Sequence, residues 1–186
     1  GPYVSALVQL ANMHAKQGNV QEAWSTITHA LEINEKLLGN SHPDLINMFT
    51  NMGSWLVKNG KGDEAMRYYD KAIELTKRIY GADNEMTAIT CINVSSICLA
   101  LGKLDRARGL VKQALELLVK LFPEGNEITG KAFENLGAIF MREEKYQDAY
   151  DDYKKAHVSY AKYIKGSDPA KLRVKEILNI LEEKVL

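Results

Sequence analysis

Three asparagines, Asn51, Asn93 and Asn135, stand 42 residues apart in one register, and Gln9 fills the same slot at the head of the series. The chain holds only 12 asparagines in 186 residues, too few for three to share a slot by accident. Asparagine carries both a donor and an acceptor. A row of them can hold the backbone of an extended peptide without reading its sequence, or can tie each helix to its neighbour. Seven residues further on come Lys16, Lys58, Ala100 and Arg142. With Lys131, and opposed by Glu134, they make a modest positive lining that would favour an acidic peptide through charge-assisted bonds. The competing explanation is that cations simply suit a helix C-terminus.

No catalytic chemistry is legible beside this. His14, His29, His42 and His157 are scattered, and none pairs with cysteine or carboxylates at metal-ligand spacing. His14 and His157 fall in core slots. Glycines lie at joints and form no phosphate-cradling loop. Serine, histidine and aspartate show no nucleophile arrangement. The acidic pairs Asp63-Glu64 and Asp151-Asp152 fall in early helical turns, where the dipole favours them. Formal net charge is zero, so no global field points to nucleic acid or an anionic membrane. No continuous apolar run is long enough to span a bilayer. No catalytic residue, cofactor or metal is expected.

The elements that must position these residues follow from a second set of repeats. Ala23, Ala65, Ala107 and Ala149 recur at the same period, as do Ala30, Ala72, Ala114 and Ala156. A third slot is always small: Ala11, Gly53, Ser95 and Gly137. Small residues at fixed places in a fixed period mean a stack of like supersecondary units. The apolar periodicity predicts helix pairs, the first helices over 3–17, 44–59, 85–101 and 127–143 and the second over 20–37, 62–80, 104–121 and 146–164. Glycine at the first three within-pair joints suits a left-handed C-terminal cap. The fourth joint, Glu143-Glu144-Lys145, lacks it and should be strained or frayed. Pro43 and Pro169 fit first helical turns, and Asp168 is a natural N-cap. Residues 169–186 read as one more amphipathic helix, striped by Val174, Ile177, Leu178, Leu181 and Val185. Trp24 and Trp55 should be core, and Tyr68, Tyr69 and Tyr80 should pack between second helices. Cys91 and Cys98 lie two turns apart on one helix, about 10 Å and too far for a disulfide. Free thiols suit a reducing, cytoplasmic setting. Gly1-Pro2 matches the scar of a removed purification tag. The next residues start inside a helical pattern without a cap, as expected of a piece of a longer protein.

The run Asn135-Leu136-Gly137 with Phe140, Ala149, Tyr153 and Ala156 resembles the tetratricopeptide repeat, whose usual period is about 34 residues. The longer unit here lengthens the second helix by about two turns of 3.6 residues. Its first instance ends Gly39-Asn40-Ser41-His42-Pro43, which resembles the kinesin light chain type of repeat. That full form appears in the first unit only, which suits a distant relative rather than a true light chain.

The resemblance implies an all-α, right-handed superhelical solenoid of four helix pairs, about 4–45, 46–87, 88–129 and 130–168, plus a C-terminal capping helix. It implies that first helices line a concave face and that the asparagine slot points into it. The candidate peptide-binding residues are Asn51, Asn93, Asn135, Gln9, Asn12, Lys16, Lys58, Ile92, Ser96, Leu99 and Arg142. The third first helix is apolar nearly all round, so it is either deeply covered or offers a sticky patch to an apolar or aromatic anchor. The two-lysine clamp that some such arrays use for a C-terminal carboxylate is absent: Val8 stands where a lysine belongs. The expected function is non-catalytic protein recognition, by an adaptor or scaffold for an extended, acidic or aromatic-anchored peptide. Cargo or cytoskeletal partners are implied. The alternatives are a self-assembly module and a regulatory arm of a larger enzyme.

Overall fold

Capping side chains precede the helices that begin at Glu85 and Glu127, and glycines follow the ends of several helices. The computed structural model describes residues 2–38, 43–166 and 168–185. Most of the first inter-pair joint, Gly39 to His42, therefore lies outside the described residues, as do Gly1, Ser167 and the side chain of Lys16. The helices are α1 (Pro2–Lys16), α2 (Val20–Leu38), α3 (Asp44–Lys58), α4 (Gly62–Tyr80), α5 (Glu85–Ala100), α6 (Leu104–Leu121), α7 (Glu127–Arg142), α8 (Tyr146–Tyr163) and α9 (Pro169–Val185). Among the described residues there is no strand. The eight paired helices match the sequence expectation to within a residue at each end. Asn84, Asn126 and Asp168 cap α5, α7 and α9 through side-chain oxygens that accept backbone N–H bonds of 2.8–2.9 Å. Pro169 opens α9 and Pro43 immediately precedes α3, as their fixed φ favours.

Within-pair joints share one geometry. After α5, Lys103 N–H reaches back to the Cys98 carbonyl at 2.8 Å, and Gly102 takes φ 72°. After α7 the same 6→1 bond runs from Lys145 to Phe140 at 3.0 Å, and Glu144 must take φ 61°. That is the left-handed region an L side chain resists. The fourth joint is therefore strained but not frayed, because its capping bonds are intact.

The chain divides into two compact units, Gly1–Ala82 and Asp83–Leu186. In the first, α1 packs on α2 and α3 on α4. One apolar cluster gathers Val4, Ala30, Leu45, Met48, Phe49 and Ala72. A second gathers Ala11, Ala23, Ile27, Met52 and Trp55. Trp55 is core as expected, but Trp24 is only half-buried, edge-on to Tyr68 with ring centroids 6.0 Å apart. Tyr69 is fully buried, whereas Tyr80 is 38% exposed.

In the second unit α5 packs on α6, α7 on α8, and α8 on α9. Val174 and Leu181 of α9 are fully buried against Ala149, Tyr153, Ala156 and Tyr160. Each such side chain contributes about 1.5–3 kcal/mol by leaving water. The apolar helix α5 is largely covered: Ile92 is 1% exposed, and both cysteines are buried and outside any disulfide.

The small slot has a steric cause. A Cβ on Gly53 would lie 2.6 Å from the Tyr69 ring, and one on Gly137 2.7 Å from the Tyr153 ring. Sixteen residues separate each pair. At that spacing Ala11 meets the smaller Ile27 in one cluster, and Ser95 stands in register with Val111. The size of the slot residue is inverse to that of its partner on the second helix.

Candidate functional site

The first helices of both units frame a recess, and its walls use the same register positions. In the first unit a recess of about 210 Å³ lies between α1 and α3, lined by Ser5, Val8, Gln9, Asp44 and Asn47. In the second unit one of about 320 Å³ lies between α5 and α7. There the corresponding residues, two periods on, are Ile89, Ile92, Asn93, Ile128 and Lys131. Translating a side chain by whole repeats returns it to an equivalent place, as a stacked architecture requires. At these positions isoleucines in the second recess replace Ser5, Val8 and Asp44 of the first.

The asparagine slot divides into two behaviours. Asn93 is exposed, and its amide oxygen accepts a 3.0 Å bond from Lys131 Nζ across the recess. Asn135 is buried, and its amide nitrogen donates to the Ile92 carbonyl at 3.1 Å, to Ser95 Oγ at 2.8 Å and to Ser96 Oγ at 2.9 Å. It ties α7 to α5. Ser96 is correspondingly engaged, since its hydroxyl also donates to the Ile92 carbonyl at 3.1 Å. In the first unit Asn51 is half-buried. Ala11 and Asn12 stand where Ser95 and Ser96 stand one unit on, so the hydroxyl acceptors that hold Asn135 are missing. Gln9 is exposed at the mouth of its recess and Asn12 is half-buried. Leu99 is half-buried. Lys58 and Arg142 are exposed cations in the last turns of α3 and α7, where the helix dipole also suits them.

The tail helix supplies a wall that periodicity does not reveal. Arg173 of α9 reaches Glu134 of α7, with guanidinium nitrogens 2.7 Å from Oε1. Tyr160 of α8 donates its hydroxyl to the other carboxylate oxygen at 2.7 Å. All three residues line the second recess. Burial, then the Glu134 bond, pushes the Tyr160 phenol far above its ordinary value, so it stays a neutral donor. Tyr153, beneath them, is pushed up to about 12 by burial and then by the Glu134 charge. Glu127 and Asp168 stand on the rim, at the N-terminal ends of α7 and α9.

Sequence reasoning named the asparagine slot, Ile92, Lys131 and Glu134. It missed Asn47, Ile128, Tyr160, Asp168 and Arg173 as recess residues. A signal existed for Asn47, which sits one turn before Asn51 in the register of Lys131. Arg173 lies outside the repeat and carries none. Among the described residues no cluster of histidine, cysteine and carboxylates could hold a metal ion. Likewise, none of their helices is long and apolar enough to cross a membrane.

A family model for the tetratricopeptide repeat matches residues 3–61 and 44–118. A search of the curated proteins returns no match. Among solved structures the chain is similar to BtubC (BKLC) from P. vanneervenii, with TM-score 0.80 and 22% identity over 97% of this chain and 72% of that one. It is also similar to the nearly identical TPR-like repeats assigned to a kinesin light chain of Podosopora anserina, with TM-score 0.75 and 17% identity over 97% and 85% of the two chains. A third likeness is to pilF of Pseudomonas aeruginosa, at TM-score 0.63 and 20% identity over 98% and 70%. These likenesses establish an all-α repeat solenoid.

Proposed function

The chain belongs to the tetratricopeptide-repeat family, and we propose that it is a non-catalytic adaptor that grips an extended segment of a partner protein along its first helices. Repeats of this family generally mediate protein–protein interaction. One observation carries the finer reading: both units place the same recess at the same register positions between their paired first helices. A bound segment would set an apolar or aromatic side chain between the isoleucines of the second recess. Its backbone carbonyl would accept from Asn93, whose amide is held in orientation by Lys131. Gln9 and Asn51 would serve the first unit in the same way. Asn135 and Ser96 hold the frame, while Lys58 and Arg142 would receive acidic residues elsewhere along the segment.

The test is a peptide array drawn from a proteome, probed with the wild-type chain and with Asn93→Ala and Asn51→Ala variants. Hits with an apolar or aromatic anchor that fade in the variants, at unchanged thermal stability, are the expected result. Hits indifferent to both substitutions would refute the reading. A second reading, self-assembly, draws on Leu172 and Ile180 of α9, each 54% exposed. It requires a concentration-dependent mass in sedimentation that Asn93→Ala leaves intact.

A further inference from the structure

The second recess has an apolar floor and a rim of unequal charge. Its floor is built from Ile89, Ile92, Ile128 and Ile164. Five charged side chains surround it: Lys131 and Arg173 against Glu127, Glu134 and Asp168. Arg173 and Glu134 cancel, being joined at 2.7 Å. Lys131 is tethered across to Asn93 on the α5 wall. Glu127 and Asp168 remain against Lys131, one at the start of α7 and one at the start of α9. Asp168 uses one oxygen to cap Ala170 N–H at 2.8 Å. Glu127 is exposed, and its field reaches inward far enough to contribute to the raised pKa of Tyr160. Among the lining residues the balance is one negative charge, opposite to the lining expected from the cation slot alone.

We propose that this recess selects a partner segment in which the apolar anchor is next to a lysine or arginine, the anchor seated on the isoleucines and the cation held by Glu127 and Asp168. The inference rests on the peptide-recognition reading and narrows it to one chemical class. A volume of about 320 Å³ is at the small end for ligand pockets, and suits one side chain rather than a cofactor. An apolar side chain supplies affinity without direction, whereas rim charges choose between partners and act through the approach rate. A basic neighbour would therefore decide which apolar-anchored segments dwell here.

The experiment uses three synthetic peptides with one common phenylalanine anchor and a neighbour that is lysine, glutamine or glutamate. Binding is read by fluorescence anisotropy at low and high salt. The lysine peptide should bind about three- to tenfold tighter than the glutamate peptide at low salt, as two partly exposed charges allow. The gap should shrink at high salt. It should close in the Glu127→Gln/Asp168→Asn variant, in which asparagine still caps α9. A glutamate peptide that binds as tightly as the lysine peptide would overturn the charge preference and leave peptide recognition standing. So would a lysine preference that persists in the double variant. Failure of all three peptides to bind would overturn both readings together.

Discussion

Gly137→Ala tests the packing rule on which the repeat rests. The added Cβ would lie 2.7 Å from Tyr153 Cδ2, 2.9 Å from Cε2 and 3.1 Å from Cγ. The ring is 4% exposed and lies in the cluster that also docks α9, so it has no room to swing out. Overpacking of this kind costs about 1–3 kcal/mol, and a locked ring belongs in the upper half of that range. Alanine in place of glycine in a helix returns about 1 kcal/mol. The net expectation is a loss of about 1–2 kcal/mol, a large share of the stability of a small domain. Tyr153→Ile should rescue it, because the first unit already holds that combination, with Ala11 and Ile27 at the same spacing in one cluster. Urea unfolding followed by circular dichroism gives each midpoint, and the slope shows whether unfolding remains one transition. The double-mutant cycle should show a favourable coupling of about 1–2 kcal/mol. A Gly137→Ala variant as stable as the parent would refute the steric account. Additivity within about 0.5 kcal/mol would refute the pairing.

Glu144→Gly should stabilise the second unit by about 0.5–1 kcal/mol. Left-handed backbone costs an L residue about 1–2 kcal/mol, and the freer unfolded glycine returns about 0.4–1 of that; an unchanged urea midpoint would contradict it. Asn135→Ala should lower stability by about 1–3 kcal/mol, because it removes the amide that serves Ile92, Ser95 and Ser96. The exposed Asn93→Ala should stay within about 0.5 kcal/mol of the parent in the same thermal melts. In alkali, Tyr153 should hold its proton to about pH 12, against 10.0 when unfolded, and Tyr160 beyond that. Between those values the folded chain binds more protons than the unfolded one, so stability falls as pH rises. It is complete below pH 10 and lost through the folded values, which urea midpoints paired with phenolate absorbance would show. Tyr153→Phe should flatten part of the slope.

The period made the backbone legible in the sequence. Every paired helix, the cap at Asp168 and the strain at Glu144 follow from residues at fixed offsets, since local geometry depends on local types. The site is less legible because identical registers acquire different roles from their neighbours. Asn51 and Asn135 share a slot, yet only Asn135 is locked, because Ser95 and Ser96 face it where the first unit has Ala11 and Asn12. Lys131 and Glu134 could be placed on a first helix from the repeat. That Glu134 is neutralised could not, since Arg173 lies 39 residues away on a helix outside the period. A cation slot read from the repeat therefore suggested a positive groove, whereas in the second recess Arg173 cancels Glu134 and the two helix-start carboxylates, Glu127 and Asp168, outnumber Lys131. In a solenoid the repeated residues build the frame. What distinguishes one recess from the next must come from the positions that depart from the repeat, so partner choice is to be sought at Ile89, Glu127, Ile128 and Arg173 rather than in the alanines that announce the fold.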